Sequence, residues 1–336
     1  MRWDNQGIDV DDGALPGLQR IGFVRSVRTP QFEGITFHEV LCKSALNRIP
    51  RAAALPFQYT VNGYRGCSHA CRYCFARPTH EYLDFDCGND FDTQVVVKTN
   101  VVDVLRRELA RRSWCRETVA LGTNTDPYQR AEGRYALMPG IIGALAASGT
   151  PLSILTKGTL LRRDLPLITE AAAQVPVSLA VSLAVGDPEL HKQVEPGTPA
   201  PHARLGLVAA IREANLDCHV MVAPVLPYLT DSVEHLDGLL RQIAEAGAVG
   251  VTVFGLHLRG STRGWFMSWL TRTHPQLVSR YRELYRRGAY LPKSYRDELR
   301  ARVAPLIATY GLTGEQSRFD AAPPPQTVET VQPTLF

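Results

Sequence analysis

Between residues 58 and 258 the chain repeats one pattern six times: a short apolar or β-branched run, then a longer amphipathic stretch. The runs are YTVNGYRG (59–66), TVALG (118–122), LSILT (152–156), VSLAVSLAV (177–185), CHVMVAPV (218–225) and VGVTVFG (249–255). Stretches 101–112, 137–147, 162–174, 201–214 and 231–246 carry apolar residues at helical spacing. Successive strand-then-helix units predict a parallel sheet with crossover helices. The strands are nearly all apolar, as parallel strands covered on both faces must be. Six units fall short of the eight of a closed barrel. Periodicity alone also fits a doubly wound sheet. The polar, turn-rich phrases GTNTDPY, TKG, PVLPYLTD and LHLRG begin near the strands' C-terminal ends, where barrels build their active sites. The expected fold is therefore α/β, an incomplete (β/α)6 TIM-type barrel.

The rhythm divides the chain. Residues 1–57 read as an N-terminal lead-in of weak periodicity, and 58–258 as the barrel. Residues 259–316 read as a helical extension punctuated by Pro and Gly, and 317–336 as a disordered tail that includes PPPQT. Hydrophobic residues make up 45% of the 336, enough for a sizeable core. No run approaches the roughly 20 apolar residues of a membrane span. The start, MRWDNQGIDVDDG, lacks a basic region followed by an apolar stretch, so a cytoplasmic location is expected. Charge is uneven: residues 259–302 hold eleven Lys or Arg against three acids, leaving 26 basic against 30 acidic residues elsewhere. That segment is a candidate for a polyanionic partner, although a solvated helix surface gives the same count.

Three of the seven cysteines lie within eight residues, in Gly66-Cys67-Ser68-His69-Ala70-Cys71-Arg72-Tyr73-Cys74. In a chain of this length such crowding points to metal or redox chemistry rather than a disulfide framework. The spacing is C-x3-C-x2-C, and three thiolates on one loop can hold a cubane cluster with one iron left open. A structural zinc site is the alternative, with Cys87, His69 or His80 as fourth ligand. Zinc knuckles, however, usually come as two separated pairs. Cys115 and Cys218 read as buried small hydrophobes.

The cysteine spacing, with Tyr73 just before the last cysteine, resembles the signature of the radical S-adenosylmethionine (SAM) superfamily. Phrases across residues 40–312 resemble its spore photoproduct lyase-like branch, among them PFQYTVNGYRGCSHACRYCFARPTHEYL, LGTNTDPYQ, LTKGTLLRRDLPLI, EPGTP and APVLPYLTD. The resemblance implies a [4Fe–4S] cluster on Cys67, Cys71 and Cys74. It implies reductive cleavage of SAM to methionine and a 5′-deoxyadenosyl radical that takes hydrogen from a substrate. It also implies an electron donor of flavodoxin or ferredoxin type. Tyr73, Asn124, Thr125, Asp126, Lys157 and Ser182 match positions that superfamily members use for SAM. The first three post-strand residues would accept from the methionine ammonium, Lys157 would pair with its carboxylate, and Ser182 would bond the ribose. Photoproduct lyases place a hydrogen-donating cysteine before the Thr-Asp pair, whereas Asn124 stands there in this chain.

The basic C-terminal stretch interleaves Trp265, Trp269, Tyr281, Tyr285, Tyr290 and Tyr295 with arginines, a composition that suits nucleic acid. The four-residue spacing of two of these pairs equally fits packing on one helix face. Arg280, Arg282, Arg286 and Arg287 are candidates for phosphate contacts. A non-catalytic, metal- or cluster-containing nucleic-acid-binding protein is the alternative reading of the whole chain. The final Gln332-Pro333-Thr334-Leu335-Phe336 resembles the short peptides that dock on bacterial DNA sliding clamps.

Overall fold

The computed structural model describes residues 16–50 and 55–314. The tail, with its clamp-like peptide at 332–336, lies outside the described residues. The described residues begin with helix α1 (Pro16–Arg20) and strands β1 (Phe23–Val27), β2 (Thr36–Val40), β3 (Leu46–Arg48), β4 (Tyr59–Val61) and β5 (Tyr64–Arg65). A 3-10 turn (Arg77–Leu83), helix α2 (Asn89–Thr93), strand β6 (Gln94–Lys98) and helix α3 (Val101–Leu109) follow. Strand β7 (Val119–Leu121) leads to helices α4 (Glu132–Tyr135) and α5 (Leu137–Ala147), and β8 (Leu152–Thr156) to α6 (Leu165–Ala172). Strand β9 (Val177–Ser182) precedes α7 (Pro188–Val194) and α8 (Pro201–Glu213), and β10 (Cys218–Val225) precedes α9 (Val233–Glu245). After β11 (Gly250–Gly255) come α10 (Thr262–Thr273), α11 (Val278–Leu284) and α12 (Lys293–Thr309).

Strands β4, β7, β8, β9, β10 and β11 pair in parallel in that order, and short β3 adds antiparallel to β4. These six parallel strands are the six runs of the sequence pattern. Strands β3 and β11 are the sheet's two edges, so it stays open. Alternation along the strands sorts its faces. Leu121, Ile154, Val181, Val220 and Val222 are buried in the main core with helix residues such as Leu145, Ile168, Leu207 and Leu240. On the other face stand Ser153, Ala180, Met221 and Thr252, each partly exposed, and exposed Phe254. Small and polar side chains leave that face open, where a closed barrel would pack layers of bulky residues.

A second sheet was not legible in the sequence. It runs β1-β2-β6-β5, with β2 and β6 parallel and the outer pairings antiparallel. It corrects one expectation, the single strand over 59–66, and shows what the lead-in holds. The lead-in 1–57 contains strands of both sheets. The run YTVNGYRG is not one strand: Tyr59–Val61 joins the barrel, then Tyr64–Arg65 pairs with β6 of the small sheet. The chain thus crosses between sheets immediately before the cysteines. Val95 and Val97 face the main core, while Val96 packs with Leu18, Val40, Leu83 and Phe85.

The C-terminal helices share the barrel's core through Phe266, Trp269, Tyr281, Tyr285 and Leu299. Their tyrosines also hold the loops that follow the last two strands. Tyr281 donates to the Pro227 carbonyl at 2.8 Å, Tyr285 to the Leu256 carbonyl at 2.7 Å and Tyr295 to Asp231 at 2.6 Å.

Candidate cluster and cofactor site

Gly66 turns the chain into the cysteine loop with φ +81°, a backbone state that costs glycine little. A Cβ there would stand 2.8 Å from the His80 ring, so the position has no room for a side chain. The loop is then pinned from three sides. Thr125 Oγ1 donates to the Gly66 carbonyl at 2.7 Å, and Gln129 Nε2 donates to the same oxygen at 2.9 Å. Gln129 Oε1 accepts from the Ser68 amide at 3.0 Å. Arg77, fully buried, donates to the Cys71 carbonyl through both Nε and Nη2, at 3.1 and 2.9 Å. Thr262, at the start of α10, donates to the Cys74 carbonyl at 3.1 Å. Gly197 comes so close that a Cβ would lie 2.0 Å from the Ser68 carbonyl oxygen.

All three loop cysteines are free thiols, Cys67 and Cys71 buried and Cys74 partly so. Cys218 is buried in β10 as expected, whereas Cys115 is exposed, because it falls in the loop beyond the end of α3. Burial pushes the Cys71 thiol well up, and charge on Cys74 and Cys67 would push it further, while Lys157 opposes. Burial likewise raises Cys74 to about 11, with Cys67 adding to it. Cys71 and Cys74 are therefore electrostatic neighbours in a dry site, protonated until a metal displaces their protons. This donor set fits a cubane with three protein ligands. Of the histidines in the zinc alternative, His80 is turned to the backbone of β6, while His69 lies beside Cys67: burial would lower its pKa, but Asp126 and Cys67 raise it to about 10. His80 Nε2 is 2.8 Å from the Gln94 carbonyl, and His69 Nδ1 is 3.3 Å from Asp126 Oδ2. Among the described residues no three His, Cys, Asp or Glu side chains converge as ligands of one ion.

The loops after β7, β8 and β9 bring the other predicted residues to the same rim. Lys157 Nζ lies 2.5 Å from Ser182 Oγ and 3.9 Å from Glu195 Oε1. Thr125 and Asp126 are brought there too, but their polar atoms serve the protein. The Thr125 hydroxyl braces Gly66 and Gln129. Asp126 accepts from the Thr156 hydroxyl at 2.5 Å, the Tyr128 amide at 2.9 Å and the Lys157 amide at 2.6 Å. Burial would raise the Asp126 carboxyl, but His69 and these donors hold it down to about 2. Asn124 is exposed on the rim, and its amide donates to Asn62 Oδ1 at 3.3 Å.

Tyr73 points inward and its hydroxyl bonds Glu195. Glu195 and its other partner, Arg204, were missed in the sequence. Both side chains are fully buried, 2.6 Å apart. Burial would raise the Glu195 carboxyl, but Arg204 and then Lys157 pull it down to about 2. Arg204 also donates to the Ser182 carbonyl at 2.9 Å. The available signal was an arginine within an otherwise apolar helix, PHARLGLVAAI, because a buried charge requires a partner.

A loop of three free cysteines and a lysine–serine pair thus stand at the C-terminal rim of an open (β/α)6 barrel. Residues 61–256 match the radical SAM superfamily, and the chain belongs to it. It is a radical SAM enzyme, and the cofactors of that family are a [4Fe–4S] cluster and SAM. Uncharacterized proteins of Mycobacterium tuberculosis H37Rv and Mycobacterium bovis are 79% identical, with all of each chain covered. An uncharacterized protein of Methanocaldococcus jannaschii is 27% identical over 54% of this chain and 65% of its own. A spore photoproduct lyase complexed with dinucleoside spore photoproduct shares the fold, with a TM-score of 0.61. Its identity is 14%, over 82% of this chain and 79% of that one. No helix among the described residues is long and apolar enough to cross a membrane.

Proposed function

We propose that Cys67, Cys71 and Cys74 hold the cluster and that Lys157 and Ser182 face the bound SAM. The observation that carries this reading is three free thiols on one loop, two buried and one partly so, with the Lys157 ammonium 5.7 Å from the ring of Tyr73 between them. When bound and reduced, the cluster supplies one electron that splits SAM into methionine and a 5′-deoxyadenosyl radical. The chain's own residues position and shield. Lys157, tied to Ser182 and leaning on Glu195, offers a point charge for the methionine carboxylate. Thr125, Asp126 and Gln129 brace the loop and its neighbours and leave Asn124 as the exposed polar group of that segment.

The substrate enters, in this reading, along the open sheet face that ends at Phe254, which is 39% exposed. Phe254 stacks on His257 with centroids 5.7 Å apart, His257 meets Tyr290 edge-on, and Arg259 lies 4.9 Å over Tyr290. Aromatic rings and an arginine at one mouth suit an unpaired base and its phosphate. The likeness to a lyase complexed with a dinucleoside supports a nucleic-acid-related substrate. The exposed Asn124 in place of a thiol argues against that lyase's own reaction.

The test is anaerobic reconstitution with iron and sulfide, reduction with dithionite, addition of SAM and detection of 5′-deoxyadenosine. Formation by the wild type and loss in Cys71→Ala is the expected result. Salt-dependent oligonucleotide binding without SAM cleavage would overturn the reading in favour of a non-catalytic binding protein.

A further inference from the structure

The face of α10 next to the cysteine loop carries a feature that neither SAM nor substrate uses. Thr262 touches the Cys74 carbonyl. From the next position the helix lines an open hollow of about 600 Å³ with Arg263, Met267 and Ser268, and Arg282 of α11 lines it too. The hollow's near end is Gly260, where a Cβ would touch Pro78 at 3.5 Å, in the 3-10 turn just past the cysteines. Phe75, the residue after Cys74, is 57% exposed.

The charge of this face is one-sided. Arg263 and Arg282 have no acidic partner among the described residues, and Arg272 pairs only with the Ser268 hydroxyl. The nearby Glu283 is taken by Arg286 at 3.2 Å. Uncommitted cations around a hollow whose helix touches the cysteine loop through Thr262 are a complementary surface for an acidic protein that must come close to that loop.

We propose that this hollow docks the protein that delivers the electron, a small acidic one-electron carrier. The proposal rests on the radical SAM reading. The step moves one electron from the carrier to the cluster, so the carrier is oxidised, the cluster is reduced and no covalent bond changes. Met267 supplies the apolar part of a small, transient contact, and the arginines its rim. The surface shares no residue with the Phe254–His257 mouth or with Lys157 and Ser182.

The experiment compares wild type with the double variant Arg263→Glu, Arg282→Glu, and with the milder Arg263→Ala, Arg282→Ala, all cluster-loaded. SAM cleavage is driven in parallel by dithionite, reduced flavodoxin and reduced ferredoxin. Binding of the oxidised carriers is measured separately by calorimetry. The expected result is a loss of about tenfold or more in kcat/KM and affinity for at least one carrier, smaller in the Ala pair and in high salt. Dithionite-driven cleavage stays unchanged. Unaltered binding and carrier-driven rates for both carriers would overturn the proposal. So would variants that lose oligonucleotide binding while keeping carrier-driven turnover. Absence of cleavage with dithionite in the wild type would instead break the underlying reading, and calorimetry would still decide the docking.

Discussion

The guanidinium of Arg204, on α8, meets the carboxylate of Glu195 at 2.6 Å where neither side chain reaches solvent. The pair ties three parts of the site together. Arg204 holds the end of β9 through the Ser182 carbonyl, and Glu195 holds Tyr73 of the cysteine loop and leans on Lys157. Removing one partner strands the other charge in a dry interior. Glu195→Gln should therefore cost about 3–5 kcal/mol. Tyr73→Phe leaves the ion pair intact and removes one hydrogen bond to a charged acceptor, a loss of about 1.5–3 kcal/mol. Urea denaturation of both variants checks the order. A Glu195→Gln variant as stable as Tyr73→Phe would show that the ion pair is not what secures this region.

The loop's backbone fit gives a second prediction. Gly197→Ala places a methyl 2.0 Å from the Ser68 carbonyl oxygen, so the cysteine loop must shift. Gly143, on α5, has nothing within 4 Å of where a Cβ would stand, and Ala suits a helix interior better than Gly by up to about 1 kcal/mol. Iron content and visible absorbance after reconstitution should fall in Gly197→Ala and stay at the wild-type level in Gly143→Ala. Equal iron content in the two would mean that loop position does not limit cluster binding.

How much of this was legible in the sequence follows from what each part buries. The six barrel strands are apolar on both faces, so runs such as LSILT and CHVMVAPV stand out without any partner in view. The small sheet lacks that signal. Strand β1, FVRSV, alternates with charge, and β2, TFHEV, buries His38 and Glu39 among partners far along the chain, such as Gln94 and Tyr135. The crossing between sheets falls at Asn62 and Gly63, an Asn-Gly turn signal that divides the run YTVNGYRG but does not say that its halves join different sheets. The cysteines were legible because one loop carries all three proposed ligands at a diagnostic spacing. Gln129 reaches Ser68 across 61 positions, and Glu195 reaches Tyr73 across 122. A single polar residue at such separation has no spacing to betray it.

Lys157 separates a binding role from a structural one. Its ammonium contacts the Ser182 hydroxyl and Glu195, and the buried carboxylate keeps Arg204 and Tyr73 when it is removed. Lys157→Ala should leave the melting temperature of the loaded protein nearly unchanged. It should weaken SAM by roughly 10- to 100-fold, the worth of a hydrogen bond to a charged group. Lys157→Arg should not restore binding, because a rigid planar fork replaces a compact point charge. Calorimetric titration of SAM checks both. Unimpaired SAM affinity in Lys157→Ala would remove the lysine from the cofactor site.

The last prediction concerns acid. His257 is held neutral first by burial and then by Arg259 and Arg296, which lower it from 6.5 to about 4. As pH falls through 6.5 the unfolded chain gains a proton there that the folded chain refuses. Its contribution to stability is thus intact above 6.5 and is lost progressively as pH falls towards about 4. At about pH 5.5 that loss is about 1 kcal/mol relative to neutral pH. Acid also threatens the cluster and other buried histidines, so the wild type alone is not informative. His257→Phe keeps a ring against Phe254 and Tyr290 but cannot titrate. Between neutral pH and about pH 5.5, the wild type should lose about 1 kcal/mol more than His257→Phe in paired urea melts. Parallel losses would place the His257 titration outside this window and reopen its burial at the barrel mouth.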